Sequence, residues 1–177
     1  MYQTGGGWLE NIDNTIRGAG NIGFNNMTIV NQALITADDA SNALVIDPGA
    51  GGLDNDGTLR AEGGATLGLN AGDYENSTGV IRAQNGSTVQ LNTSAVVIGG
   101  ELITAGTGVV RVTSLAYADG LTNGAITNHG NMVINGDLRG YGDIDNRGTI
   151  TFEGAGNIYF RPHSAEMRLI GGGEVHM

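Results

Sequence analysis

Aspartates that directly precede an asparagine are the leading candidates in this chain for catalysis or ion binding. Asp13, Asp54 and Asp145 each lie between an apolar residue and an Asn. If these positions stacked, the carboxylates would form an acidic row, which could hold a cation or act on a sugar, since glycoside hydrolysis needs two carboxylates flanking one bond. Solvated acids beside turns explain the same spacing, and the sequence favours this second interpretation.

A polysaccharide lyase would need acids that hold Ca²⁺ and a basic residue that abstracts a proton. The chain has no Lys, and its eight basic residues are all Arg. Arg60 and Arg82 occupy equivalent places in a repeat, which indicates an architectural origin. Ser87, Ser94 and Ser114 have no nearby base that could activate a nucleophile. We therefore predict no catalytic residues and a protein that is not an enzyme.

Metal-ligating patterns are incomplete. Asp54-Asn-Asp-Gly57 looks like the beginning of a Ca²⁺ loop, but Ala65 stands where an EF-hand has its Glu ligand. His129, His163 and His176 are far apart and lack the short His-to-His spacing of a zinc site. We predict no metal site and no cofactor.

Composition indicates an ordered β protein with many turns. Gly accounts for 32 of 177 residues, and 40% of residues are hydrophobic, which is enough for a core. A net charge of -10 without clustered basic residues disfavours binding to nucleic acid or anionic lipid. The absence of Cys excludes disulfides and thiolate sites. No apolar stretch is long enough to predict a membrane span.

A repeat organises the chain. Gly57–Asn70 aligns without a gap on Gly79–Asn92, with an offset of 79 − 57 = 22 residues. Gly99–Val112 is a third copy, and looser copies precede and follow these three. Each copy holds short apolar-x-apolar runs, which are typical of strands with alternate residues pointing inward. Gly, Asn and Asp between the runs are suited to corners with positive φ.

Such short strands cannot bury an apolar face alone, but stacked coils can. We predict an all-β fold, a single-stranded right-handed parallel β-helix (β-solenoid) of about eight coils (177/22) with roughly 22 residues each. The handedness follows from the crossover preference of parallel strands. The predicted inward-facing core residues are Leu59, Leu67, Leu69, Ile81, Val89, Leu91, Leu102, Val110, Val112, Ile150, Ile158 and Phe160.

Asparagine recurs beside the corners of the predicted coils, in the pattern apolar-x-Asn. Asn tolerates a left-handed backbone, and its amide can bond to the backbone or to an Asn one coil away. Independent turns are the alternative explanation. We expect five residues at related corners, namely Asn14, Asn55, Asn76, Asn123 and Asn146.

The coils are expected to form a single domain over residues 1–177. The repeat is broken at Asn31–Ala40 and Thr113–Gly120, so we predict irregular side loops near residues 31–40 and 113–120.

Aromatic residues could form a surface that stacks on sugars, although packing at caps and corners is the simpler interpretation. The candidates are Trp8, Tyr74, Tyr117, Tyr141 and Tyr159.

Several segments resemble, in the same order, a tandem module of giant exported bacterial surface proteins of the haemagglutinin-like or autotransporter-passenger-like kind. These segments are Leu9–Gly23, Asn42–Asp47, Gly57–Asn70, Gly79–Asn92, Ile144–Ile150 and Arg168–Val175. The resemblance implies secretion, a β-helical fold, and a role in adhesion or in the extracellular matrix. It also implies that the chain is one module of a longer repetitive protein whose export signal lies elsewhere.

The leading hypothesis is a structural or adhesive segment of an extracellular bacterial surface protein, which acts as a rigid stalk or filament-forming unit by coil stacking. Its expected partners are neighbouring copies of the same module, in tandem or end to end, and host-surface or matrix glycans. The expected location is extracellular or on the bacterial cell surface, after export as part of a larger precursor. The alternative is a carbohydrate-binding or polysaccharide-degrading solenoid of the tailspike or lyase type.

Overall fold

Parallel β-strands make up all the regular secondary structure that the computed structural model describes, which covers residues 6–154 and 157–177. The described residues form 22 strands, numbered in chain order, and most coils contribute one short strand to each of three faces.

The first face contains β1 (Gly7–Asn11), β4 (Met27–Asn31), β7 (Leu53–Asn55), β10 (Gly72–Glu75), β13 (Ala95–Ile98) and β16 (Leu115–Gly120). The second face contains β2 (Thr15–Gly18), β5 (Leu34–Ala37), β8 (Thr58–Ala61), β11 (Val80–Ala83), β14 (Gly100–Thr104) and β17 (Ile126–Asn128). The third face contains β3 (Gly20–Ile22), β6 (Leu44–Ile46), β9 (Thr66–Leu69), β12 (Thr88–Leu91), β15 (Val109–Val112), β18 (Asn131–Ile134), β20 (Thr149–Phe152) and β22 (Glu174–His176).

Two long strands each serve both the first and the second face. They are β19 (Asp137–Asn146) and β21 (Tyr159–Ile170). Strand β19 pairs with β16 through its first half and with β17 through its second half, so the two faces join into one sheet of 14 strands. The third face is a separate sheet of eight strands, one for each coil.

Every strand pairs in parallel with its equivalent one coil away, which confirms the predicted β-solenoid of about eight coils. On the second face, Ile81 pairs with Leu59 in the preceding coil and with Leu102 in the following one. The 22-residue offset found in the sequence is therefore the step from β8 to β11. Other steps differ, because the turns between strands vary in length. The right-handed sense stays a prediction.

The core is a continuous apolar column enclosed by the three faces. Ten of the predicted core residues, from Leu59 to Ile150, are at most 2% exposed. Ile158, which directly precedes β21, and Phe160, which lies in β21, are partly buried and pack against this core. The alternation of inward apolar and outward polar residues is therefore what closes the coils.

Glycines after the first-face strands permit close approach of successive coils. A Cβ on Gly57 would collide with the backbone oxygen of Ala33, and one on Gly79 would collide with that of Asn55. These glycines are required by the contact with the preceding coil and set the tight corner between the first and second faces.

The predicted side loops near 31–40 and 113–120 are corrected. Residues Leu34–Ala37 form β5, and Leu115–Gly120 form β16, both fully integrated in the large sheet. The inward positions of β16 hold the small residues Ala116 and Ala118, and β4 ends on the buried Asn31, whereas β5 carries the buried Ile35. A search for large apolar residues misses the inward alanines and asparagine, although they keep the two-residue alternation.

The described residues contain no helix that is long and apolar enough to cross a membrane.

Candidate functional site

Buried asparagines form a hydrogen-bonded row at the corner between the first and second faces. We call this row the first asparagine ladder, and its members are Asn11, Asn31, Asn55 and Asn76. The amide nitrogens of Asn11, Asn31 and Asn55 each donate to the Oδ1 atom of the next Asn, with distances of 2.8, 2.8 and 2.7 Å along the row. All four residues are at most 3% exposed. The row therefore satisfies the buried amide donors of its first three members and links four coils.

A second asparagine ladder lies at a different corner, between the second and third faces. Asn128 donates from Nδ2 to Oδ1 of Asn146 at 2.8 Å, and Asn146 donates to the backbone oxygen of Glu174 at 3.1 Å. Both asparagines are at most 1% exposed. The two ladders thus stabilise different parts of the stack.

The first ladder stops at Asn76. Its Nδ2 atom has no acceptor among the described residues, and Gly99 and Gly100 follow at this corner in the next coil. A Cβ on Gly100 would collide with the backbone oxygen of Asn76. Further along the stack, β19 runs straight through the position of this corner, and the second ladder takes over at the next corner.

The structure places three of the five predicted corner asparagines in the ladders. Asn55 and Asn76 belong to the first ladder and Asn146 to the second. Asn14 is exposed and donates to Asp13 at 3.1 Å, while Asn123 is exposed and contacts the carboxylate of Glu75.

Asn11, Asn31 and Asn128 were not in the predicted set. Asn11 also follows the apolar-x-Asn pattern, as Leu9-Glu-Asn11, three residues before Asn14 in Ile12-Asp-Asn14. Asn14 is therefore replaced by Asn11, because burial on the inward side of β1 decides between two matching patterns.

The hypothetical acidic row does not form. Asp54 lies on the first face beside Glu75, whereas Asp145 lies on the second-face half of β19 and pairs with Arg147 at 2.6 Å. Asp13 lies in the turn after β1 and is exposed. The three Asp-Asn pairs occupy different places, because the same short pattern is used in turns at two corners.

Asp54 and Glu75 are neighbouring carboxylates on adjacent strands of the first face. Burial, followed by the charges of Asp56 and Glu75, raises the pKa of the Asp54 carboxyl. Residues paired in parallel register project from the same side of the sheet, so these carboxylates stand side by side rather than on opposite sides of a bond.

The supposed Ca²⁺ loop at residues 54–57 is a strand end and a corner. Asn55 points inward into the first ladder, and the carboxylate of Asp56 contacts the hydroxyl of Thr78. Among residues 6–154 and 157–177, no three His, Cys, Asp or Glu side chains are grouped so that they could hold a metal ion.

The aromatic residues do not share one surface. Tyr74 is fully buried, and its hydroxyl lies 2.8 Å from the carbonyl oxygen of Ile46 and 2.6 Å from that of Asn70. Burial raises the pKa of this hydroxyl far above its usual range. Trp8, on the first coil, is 69% exposed, and Tyr159, on the last described coil, is 42% exposed. The inclusion of Tyr74 among exposed aromatics is therefore corrected.

Tyr117 and Tyr141 meet His163 on the outside of the first face. The His163 ring centroid lies 4.9 Å from that of Tyr117, edge to face, and 5.8 Å from that of Tyr141. Burial, together with the charge of the hydrogen-bonded Asp119, raises the pKa of Tyr141 to about 12. These rings cover one another, as expected for packing across neighbouring coils.

The other two histidines have separate neighbours. His129 Nε2 lies 3.5 Å from a carboxylate oxygen of Glu101, and His176 Nε2 lies 2.9 Å from one of Glu174.

Arginines on the outer faces are paired with carboxylates, with one exception. Arg60 pairs at 2.7 Å with Glu62, which lies two residues further along the chain. Six further arginines have a carboxylate partner within 4.0 Å, and these are Arg17, Arg111, Arg139, Arg147, Arg161 and Arg168. In the described part of the chain, Arg82 has no such partner, and its Nε atom is buried without a hydrogen-bond acceptor.

No family model, curated protein or solved structure matches this chain.

Proposed function

We propose that this protein is a structural and adhesive segment of an extracellular bacterial surface protein, in which stacked coils form a rigid stalk. The observation that carries the proposal is the unbroken parallel pairing of eight coils around one core. At about 4.8 Å per coil, this stack has a length on the order of 40 Å.

Stiffness along the stack is supported by the two asparagine ladders. In water, hydrogen bonds between exposed side chains contribute little, but buried amides must be satisfied by a partner. Bending the stack at the first ladder would break bonds between Asn11, Asn31 and Asn55 inside the corner. The ladders therefore oppose separation of successive coils.

Further stacking is supported by the edges of the first and last described coils. Within the described residues, β1, β2 and β3 each have a strand partner on one side only, as does β22 at the other end. Large apolar side chains that continue the core columns are exposed on the last described coil, where Leu169 pairs with the buried Ile144 and Val175 pairs with the buried Ile150. A strand edge beside exposed apolar residues is a template for another coil, whether from the same polypeptide or from a second copy.

An extracellular location is supported by the resemblance to exported repetitive surface proteins. A net charge of -10 opposes non-specific association along the sides of the rod. Stacking would then occur at the coil edges, where the apolar Leu169 and Val175 are exposed.

The proposal is tested with two copies of the chain fused directly in tandem. Small-angle X-ray scattering should show a single rod, longer than one copy by about 40 Å, because the second copy adds eight further coils. The control is the same fusion with Leu169→Asp and Val175→Asp in the first copy, which places charges in the junction.

A direct fusion that scatters as two independently moving bodies would refute the rigid stalk. So would a rod that is equally extended in the junction variant, because the length would then not depend on coil stacking.

A further inference from the structure

A row of outward residues crosses the second face at right angles to its strands. Residues Arg17, Thr36, Arg60, Arg82 and Ile103 follow one another in paired register from β2 to β14. Neighbouring members are separated by the strand spacing of about 4.8 Å. Arg60 and Arg82 therefore stand next to each other with like charges.

Arg60 is neutralised within its own coil and Arg82 is not. Arg60-Ala-Glu62 and Arg82-Ala-Gln84 are equivalent segments of the repeat. Arg60 donates from a terminal nitrogen to Glu62 at 2.7 Å and from Nε to the hydroxyl of Thr36 at 3.3 Å. Gln84 stands beside Arg82 where Glu62 stands beside Arg60, so Arg82 has a neutral amide in place of a carboxylate partner.

The local charge around Arg82 favours an external anion. Its side chain is partly exposed and has no carboxylate partner among the described residues, and its Nε atom is buried, so an external anion would meet the terminal nitrogens of the guanidinium. A guanidinium binds a carboxylate through two parallel hydrogen bonds, and such charge-assisted bonds are among the stronger polar contacts. An incoming carboxylate would give Arg82 the negative partner that Glu62 gives Arg60.

We propose that Arg82 and Gln84 form a binding site for a carboxylate carried by an acidic polysaccharide. The partner is a polysaccharide rather than a peptide, because β8 and β11 are paired on both sides and offer no free edge to a peptide backbone. The partly exposed Gln84 amide and Thr58 hydroxyl near the arginines can bond to sugar hydroxyls. The proposal deepens the adhesive role proposed above, on which the choice of an extracellular ligand rests.

The test measures binding of a fluorescent galacturonic-acid hexasaccharide to the single chain by polarisation. Arg82→Gln and Gln84→Glu should each weaken binding by about tenfold, as expected for loss of a charge-assisted pair. Gln84→Glu is the sharper variant, because it supplies the missing carboxylate within the chain and leaves the strands intact.

The matched control is Arg111→Gln on the third face, where Arg111 already pairs with Glu153 at 3.1 Å. All three variants change the net charge from -10 to -11 (−10 − 1), so a general charge effect would weaken binding equally in each. Binding to the control should stay within about twofold of the original, since Arg111 lies outside the proposed site.

Three probes define the ligand. The methyl ester of the hexasaccharide should not compete, because it lacks the charge, and free acetate should compete only weakly. Equal competition by poly-glutamate would assign the site to acidic peptides and overturn the choice of polysaccharide.

Absence of binding by the original chain, or equal loss in Gln84→Glu and Arg111→Gln, would overturn the site. The measurement uses one unfused chain, so a negative result together with a rigid tandem rod would refute only the binding site. A flexible tandem fusion that still binds the oligosaccharide would refute only the stalk.

Discussion

Asparagine amides inside the first ladder are both donors and acceptors, so each interior residue is bonded to a ladder neighbour on either side. Asn55 accepts from Asn31 and donates to Asn76, at 2.8 and 2.7 Å. Removing an interior member therefore leaves an unsatisfied donor on one side and an unsatisfied acceptor on the other. Buried unsatisfied groups are more costly than the net gain from an ordinary hydrogen bond.

Asn55→Ala is expected to lower the free energy of unfolding by about 1–3 kcal/mol, the usual cost of a buried polar group without a partner. Chemical denaturation measures this loss. Asn14→Ala serves as the control and should change stability by about 0.5 kcal/mol or less, because Asn14 is exposed. Equal losses in the two variants would contradict the ladder.

The sequence could predict that asparagine matters at the corners, but not which asparagine is buried. Leu9-Glu-Asn11 and Ile12-Asp-Asn14 match the same pattern. The choice depends on which residue of β1 lies opposite Asn31 in the next coil, and this is a property of the stack. The neutral Gln84 beside Arg82 was visible in the aligned repeats, but its meaning required the ion pairs of the other arginines.

Strand β19 and the last long strand, β21, are held together on the outside of the first face by charged side chains. Asp137 accepts hydrogen bonds from Arg161 at 3.0 and 2.7 Å and from Arg139 at 2.9 Å. Hydrogen bonding by Arg161, and then by Arg139, lowers the pKa of the Asp137 carboxyl below its usual 3.8. The ionised carboxylate is therefore the form that stabilises this contact.

Because the folded-state pKa of Asp137 lies below the unfolded value, its contribution to stability is present above about pH 3.8 and is lost as the pH falls towards the folded-state pKa. Asp137→Asn should lower stability at neutral pH and reduce the further loss below about pH 4. Denaturation midpoints across this pH range measure both effects.

Asp13→Asn is the control, since Asp13 is exposed and has no ion pair among the described residues. A variant at Asp137 with the same acid sensitivity as the original chain would show that this carboxylate does not couple the strands.

Strands in the regular copies of the repeat were predictable, and two strands outside them were not. Strand β16 has only Ala116 and Ala118 at its apolar inward positions, and β5 carries the buried Ile35 but lies in a segment where the repeat is broken. Their place in the sheet is fixed by pairing with β13 and β8, which are more regular. Neighbouring coils thus determined structure where the local sequence signal was weak.

The complete stack was predictable because a 22-residue repeat leaves few ways to bury short apolar runs. The repeat does not reveal what stacks against the free edges of the first and last described coils. Leu169 and Ile170 on the last described coil are 44% and 43% exposed. Leu169 pairs in register with the buried Ile144, so it continues a core column.

Leu169→Asp is expected to reduce concentration-dependent association of the chain, because a buried carboxylate would oppose stacking of another coil. Sedimentation velocity over a range of concentrations measures this association. Leu121→Asp is the matched control, since Leu121 is 61% exposed on a turn that follows β16, away from both coil edges. Association that persists in Leu169→Asp but not in Leu121→Asp would assign the contact to the side of the rod.

The two ladders lie at different corners, so the two halves of the stack place their buried amides at different positions. Coils of similar length and pattern are at risk of pairing with the wrong neighbour while the chain folds. A coil that carries Asn55 finds an amide partner only at the corner between the first and second faces, whereas one that carries Asn128 finds it only at the next corner. A coil from one half inserted into the other would bury its amide against apolar side chains or glycine, so the ladders also disfavour exchange of coils between the two halves during folding.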